Sequence, residues 1–429
     1  MLSLVLFSGL LILLSLNVPI AFAMGIAGTA VVMILERVNL EIIVQRMFYG
    51  VDSFVLVAVP LFMFLGEVLQ ESGIAERLLK FVQSLVGHVR GGLGHVTILS
   101  EMVLSGITGS GSADAAAAGA VMIPAMIQAG YQPAFAAALL GSAAVLGPII
   151  PPSIIMVVYG SLAGVSVGRL FVGGLVPGVL VAGYIMVVIA IIARREQWPR
   201  ISRPTLASVL RNTGPALLVI LAPVIIIGGI LMGVFTATES AAVGCVYSLL
   251  IGLGIYRTVR PRQLWAIFER TLLASGKVMF IVSTAYIFSW ILAREGVAAE
   301  MAQLPVFSDV SRPWLILLTL NIALLVLGCL MEAIAILLII TPIMLPITTA
   351  AGIDPVHLGV LMTVNLSIGL ITPPVGVVMY IVCSISKVSI PEFTLKVWPF
   401  LAALVVALLL ITYVPALVTA LPDALMPRR

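Results

Sequence analysis

The sequence predicts an all-α polytopic membrane protein made of two inverted-topology halves, each holding one re-entrant helical hairpin and one helix broken at a Pro-Pro pair. Three observations lead there. Of 429 residues, 62% are hydrophobic and 9% charged, where a soluble domain carries about 25% charged residues. At about 20 residues per crossing, the apolar runs allow roughly ten crossings with short loops. Glycines and prolines also recur at a fixed spacing between the two halves. The composition excludes a soluble enzyme on a membrane anchor, because no long stretch has soluble-protein character. The formal charge of +4 does not suggest a nucleic-acid partner, since a positive excess in membrane proteins belongs to cytoplasmic loops. Cys245, Cys329 and Cys383 lie far apart in apolar runs and read as small hydrophobes. His88, His95 and His357 are scattered, so no metal cluster is expected. Residues 1–16 lack a basic leader and a small-residue cleavage site, and read as a retained span.

Taken in order, residues 2–16 and 18–35 are short apolar runs divided by Asn17-Val18-Pro19, where one long tilted helix competes with a tight hairpin. Spans follow near 53–70, 132–163, 168–193, 215–235, 238–256, 271–293, 355–386 and 396–418. Two further apolar segments, about 93–127 and 314–347, carry small and polar residues at mid-depth and are expected to enter and leave on one side. Charge sets the orientation. Arg194, Arg195, Arg200, Arg203 and Arg211 in one loop, and Arg257, Arg260, Arg262 and Arg270 in another, place both loops in the cytoplasm. The acidic balance of 294–312 and of 36–52 (Glu36, Glu41 and Asp52 against Arg37 and Arg46) places those outside, and both termini with them, against the mild pull of Arg428 and Arg429.

The halves, 1–213 and 214–429, match at an offset of 222. Pro124, Gly130, Pro133, Gly147, Pro151 and Pro152 correspond to Pro346, Gly352, Pro355, Gly369, Pro373 and Pro374. Phe171 and Pro177 correspond to Phe393 and Pro399. Five crossings separate the two hairpins, and five is odd, so the second half enters from the opposite face. Inverted repeats with discontinuous helices are an architecture of secondary transporters.

In Gly147-Pro148-Ile149-Ile150-Pro151-Pro152-Ser153 and in Gly369-Leu370-Ile371-Thr372-Pro373-Pro374-Val375-Gly376, proline removes amide donors and clashes with the preceding turn. Carbonyls around 147–149 and 369–371 should therefore lose their helical partners and face protein, water or a cation. A proline kink satisfied by a neighbouring helix explains one such break. Two at equivalent positions favour an ion site. The first hairpin tip reads Ser105-Gly106-Ile107-Thr108-Gly109-Ser110-Gly111-Ser112-Ala113-Asp114. Glycine admits close backbone approach, hydroxyls suit sodium or a carboxylate, and a helix restarting near Ser112 would aim free amides at the tip. Ser105, Ser110 and Ser112, with carbonyls near Gly147 and Ile150, are the first candidate sodium site. Small-residue packing is the competing account of Ala115–Ala118, but packing alone does not ask for so many hydroxyls and an acid. Neither tip nor break holds Arg or Lys. A carboxylate solute would then rely on bound cations, helix N-termini and the hydroxyls of Ser110 and Ser112, with Ser153 and Asn365 as outer candidates. Thr363 and Asn365 fit a cavity wall or an interhelical hydrogen bond equally well. Glu332 in the second tip and Thr238-Glu239 read as helix caps.

The Gly-Ser-Gly-Ser-x-Asp hairpin followed by Leu146-Gly147-Pro148-Ile149-Ile150-Pro151-Pro152-Ser153 resembles the large membrane subunit of tripartite ATP-independent periplasmic (TRAP) transporters. Thr236-Ala237-Thr238-Glu239, Gly352-Ile353-Asp354-Pro355-Val356-His357 and the second break resemble it too, in the family's order and over essentially the whole chain. The chain departs in Ala237, where the family usually has Pro, and in Glu332, where it often has Asp. The resemblance implies an elevator-type, sodium-coupled importer of a carboxylate-containing solute in the bacterial inner membrane. It implies two partners, a soluble periplasmic solute-binding protein and a small four-helix membrane subunit, the latter expected as a separate polypeptide. It also implies a second sodium site at Gly328, Gly369, Thr372 and Val375. Sodium serves as the coupling ion, and no other cofactor is expected. The rival transporter reading is a stand-alone sodium/anion symporter of similar fold. The rival enzyme reading, an intramembrane serine protease at Ser110, lacks a base within reach, because His95 lies away from the tip and His357 near a membrane edge.

Overall fold

The computed structural model describes residues 2–35, 38–196, 198 and 205–426. Glu36, Arg37, Arg200, Arg203, Arg428 and Arg429, which entered the orientation argument, lie outside the described residues. All regular structure among the described residues is helical.

Helices α1 (Leu2–Ser15) and α2 (Ile20–Ile34) fold back on each other. Asn17 makes the turn with a φ of 61°, and Gly9 faces Ala27 across the pair. Residues 2–35 therefore form a hairpin and not one tilted helix. Helix α3 (Glu41–Val51) precedes a short 3-10 turn and α4 (Ala58–Glu71). Helix α5 (Ile74–Val86) is amphipathic, burying Ile74, Leu78, Leu79 and Val82. The first hairpin is α6 (Gly92–Thr108) and α7 (Gly111–Gln128). The first broken helix is α8 (Pro133–Ala144) and α9 (Ile154–Ala163), followed by α10 (Val167–Arg195).

The second half runs through α11 (Leu206–Leu231), α12 (Ala237–Leu249) with a π-helical end, α13 (Pro261–Arg294), α14 (Val297–Ala302) and α15 (Pro305–Ser308). Its hairpin is α16 (Pro313–Gly328) and α17 (Ala333–Ala350). Its broken helix is α18 (Pro355–Gly369) and α19 (Val377–Ser386), then α20 (Ile390–Tyr413) and α21 (Ala416–Leu425).

Among the described residues, seven helices are long and apolar enough to cross a membrane: α4 with its leading turn, α10, α11, α12 with its π end, α13, α17 and α20. Six of these coincide with expected spans. The seventh, α17, is one arm of the second hairpin. At about 1.5 Å per residue, α8 and α9 together reach the roughly 30 Å of a hydrocarbon core that neither reaches alone. The expected loop at 257–270 is mostly helix, because α13 starts at Pro261. The last of its arginines is held laterally: Arg270 reaches Glu67 at 3.0 Å and Glu71 at 2.6 Å on α4.

The half-helices before the breaks occupy the centre of the molecule. Every residue from Phe135 to Ala144 in α8, and from Val356 to Gly369 in α18, is buried. Helix α8 is mostly Ala and Gly there, which lets α6, α7, α19 and α20 approach closely. Packing between the halves is reciprocal. Helix α9 meets α17 as α19 meets α7; α10 meets α18 as α20 meets α8; α8 meets α19 as α18 meets α9. Helices α7 and α17 have bounds 222 apart at both ends. The caps of α9 and α19 (Ser153 and Gly376, then Gly164 and Lys387) instead lie 223 apart, so the second break holds one extra residue. The offset of 222 returns at Phe171 and Phe393, both buried.

Candidate functional site

Helix α6 ends because Gly109 takes a left-handed φ of 62°. Ser110 is then extended, and α7 starts at Gly111 with no side-chain cap. The amides of Gly111, Ser112 and Ala113 donate no hydrogen bond among the described residues, so the positive end of α7 is open at the tip. What lies against it is the first break. A Cβ on Gly111 would lie 2.6 Å from the Ala144 carbonyl oxygen, and one on Gly109 would meet the Pro152 carbonyl. A Cβ on Gly147 would sit 2.5 Å from the Gly111 amide nitrogen and 2.7 Å from Asp114 Oδ2. Tip and break thus touch backbone to backbone, which only glycine permits.

Asp114 is fully buried and accepts from Thr108 Oγ1 at 2.5 Å and from Ser105 Oγ at 3.4 Å. Ser105, first in the sequence-derived sodium set, therefore turns its hydroxyl to Asp114. Ser110 and Ser112 pair with each other at 3.1 Å and remain partly exposed. The carbonyls of Gly147, Pro148, Ile149, Ile150, Pro151 and Pro152 accept no hydrogen bond among the described residues. Ser153 is buried and caps α9, accepting from the Met156 amide at 3.3 Å.

The second tip and break meet in the same way, at Gly328 and Gly369: a Cβ on Gly369 would lie 2.8 Å from the Gly328 carbonyl oxygen. Here the details diverge. Glu332 caps α17 by accepting from the Ala335 amide at 3.1 Å, as its position suggested. Leu370, whose carbonyl was expected to be orphaned, instead accepts from Val378 at 3.0 Å and Met379 at 3.3 Å. The carbonyl of Gly369 accepts from Thr372 N at 3.1 Å. The unpartnered carbonyls are shifted to Ile371, Thr372 and Pro373, because the extra residue lets α19 fold back on Leu370. The Thr372 hydroxyl donates to the Ile368 carbonyl at 2.7 Å, and Val375 is 45% exposed. The first break is buried throughout, whereas Pro374 and Val375 are exposed. Both Pro151-Pro152 and Pro373-Pro374 peptide bonds are cis.

The breaks lie side by side. Leu370 packs on Gly111, and Ile371 on Gly141. Asn365 is set apart from the tips: its amide donates to Asn321 Oδ1 at 2.8 Å and to the Asn321 carbonyl at 3.0 Å, and Asn321 donates to Thr412 at 2.9 Å. Thr363 bonds back to the Gly359 carbonyl at 2.8 Å. At α12 the cap is Thr236, which forms a capping box with Glu239, while Thr238 donates to the Phe54 carbonyl at 3.1 Å.

Sequence reading passed over Glu101. It is buried in α6, at 0% exposure, and neither carboxyl oxygen has a hydrogen-bond partner among the described residues. The available signal was a lone acid in an apolar hairpin, which is a functional candidate by default.

Residues 7–417 match the family model for the tripartite ATP-independent periplasmic transporter, DctM component. The chain is 39% identical over 405 residues to the C4-dicarboxylate TRAP transporter large permease protein DctM of Pseudomonas aeruginosa, covering 94% of each. It is 36% identical over 416 residues to the sialic acid TRAP transporter large permease protein SiaM of Vibrio cholerae, covering 97% of each. In fold it is similar to the Alcanivorax borkumensis YdaH transporter, with a TM-score of 0.60 at 16% identity over 86% of both chains.

Proposed function

The chain belongs to the DctM-component family of tripartite ATP-independent periplasmic transporters, as a large permease subunit in the bacterial inner membrane, and from that membership we propose sodium-coupled import of a carboxylate-containing solute. Membership of a tripartite family makes it one of three parts, with a small membrane subunit and a periplasmic binding protein as the others. In the proposed cycle the binding protein delivers the solute, and the four-helix small subunit braces the permease. The two hairpins are re-entrant. With the broken helices they move as an elevator against α1–α5 and α10–α14, under an inverted repeat of 1–213 and 214–429.

The observation that carries this reading is the row of unpartnered carbonyls at Gly147–Pro152 beside the hydroxyls of the first tip. Oxygens without donors suit a hard cation and not a second hydrogen-bond donor network. Ser110, Ser112 and the carbonyls near Gly147 and Ile150 would hold one sodium ion, with Ser105 turning from Asp114 to join them. Gly328, Gly369, Thr372 and Val375 would hold a second. Ser110 and Ser112 also face the solute, and Ser153 and Asn365 act behind them through α9 and the Asn321–Thr412 network. Reconstituted with both partners in liposomes, the permease should import solute under an inward sodium gradient without ATP. Equal uptake with potassium alone would refute the coupling.

A further inference from the structure

A stripe of polar residues runs down α6 at helical spacing: Thr97, Glu101, Ser105 and Thr108, all buried. Its ends face α7. Thr97 Oγ1 lies 3.9 Å from Met126 Sδ, and Ser105 and Thr108 both donate to Asp114. Glu101 lies between these contacts, one turn from each, inside the hairpin. Asp114 receives two hydroxyl donors, the arrangement that stabilises a carboxylate. Among the described residues Glu101 receives none, and its neighbour the Ser100 hydroxyl is also buried without a partner.

Helices α4, α5, α7, α8, α10 and α11 all pack on α6. Among the described residues the Glu101 carboxyl enters no hydrogen bond and no ion pair, so no base compensates it. An ionised carboxylate in a buried site is costly without a counter-charge or hydrogen-bond donors, and a bound proton removes that cost. No hydrogen bond joins Glu101 to Ser105 or to any other residue assigned above to sodium.

We propose that Glu101 is a proton-binding site inside the α6–α7 hairpin, its carboxyl taking a proton from water and holding it there. The carboxyl then carries no charge in a site that offers it no partner among the described residues. The proton needs no co-reactant.

Infrared spectroscopy of the full chain in lipid, without sodium and then with it, tests this directly. The wild-type protein near neutral pH should show the carbonyl band of a protonated, water-shielded carboxylic acid. That band should fall to background in E101Q, an isostere of the protonated acid, and persist in D114N. Absence of the band in the wild-type protein, its loss in D114N in place of E101Q, or its disappearance on adding sodium would each overturn the proposal, the last by making Glu101 a cation ligand. No transport is measured, so the result is independent of the coupling proposed above.

Discussion

Gly147 shows how far single residues were legible. Its glycine was flagged by the proline run that follows it. The reason for glycine is a contact across the fold, with the Gly111 amide and the Asp114 carboxyl, that no sequence window contains. Gly147→Ala should force tip and break apart, costing about 1–3 kcal/mol as an overpacked core site does. A lower unfolding temperature in detergent with solute uptake abolished is the expected outcome; an unchanged pair of values would mean the two backbones are not held together. Thr372 makes the complementary case. Its hydroxyl rests on the Ile368 carbonyl within its own helix end, a bond that alanine forgoes without opening the chain. Thr372→Ala should therefore leave assembly and melting near wild type while weakening the sodium dependence of uptake; an unchanged sodium titration removes Thr372 from the second site. Glu101 was missed for a physical reason: whether a buried acid is paired is decided by its neighbours on α7, which one sequence does not disclose.

Among elements, the helix stops were the most legible, since Gly109 and the Pro-Pro pairs act locally on the backbone. Helix starts in charged surroundings were less so. The segment 257–270 read as a loop because its arginines suggested water. In the structure Arg270 is held by Glu67 and Glu71 of α4, and a helix can run past the membrane edge on such pairs. The one-residue surplus in the second break was also hidden, because the Pro-Pro pairs themselves align at 222. Its effect is that α19 reclaims the Leu370 carbonyl. The hairpins differ in one further way. Helix α17 is capped by Glu332, while α7 is left open at Ser110. Glu332→Ala should thus cost about 0.5–2 kcal/mol of stability, as lost caps do. Ser110→Ala, which removes no cap, should barely move the melting temperature yet weaken solute binding. Thermal unfolding of the two variants side by side checks this, and equal destabilisation would show that Ser110 caps α7 after all.

For the whole molecule, reciprocal packing of α9 on α17 and α19 on α7 brings the first break, buried throughout, and the partly exposed tips and second break together, and none of these segments contains Arg or Lys. On the proposed function, a carboxylate solute reaching them would have three sources of positive potential: sodium at one break, sodium at the other, and the open amides of α7. The amides are fixed, but the proposed ions would come and go, so the solute's electrostatic partner would itself be a ligand. Leaving the anion unpaired at such depth costs at least about 2.5–3.5 kcal/mol, and Asp114 beside the tip adds to that cost. Solute and sodium must then bind cooperatively, each raising the other's affinity by the same factor. A coupling of about 1–3 kcal/mol, or roughly 5–150-fold in affinity, is the expected size. Calorimetry of the purified complex at low and high sodium, using the solute its periplasmic binding protein retains, measures that factor. An affinity that does not change with sodium would mean that the carboxylate is neutralised by the α7 amides alone, and that the ions couple to transport by some route other than charge.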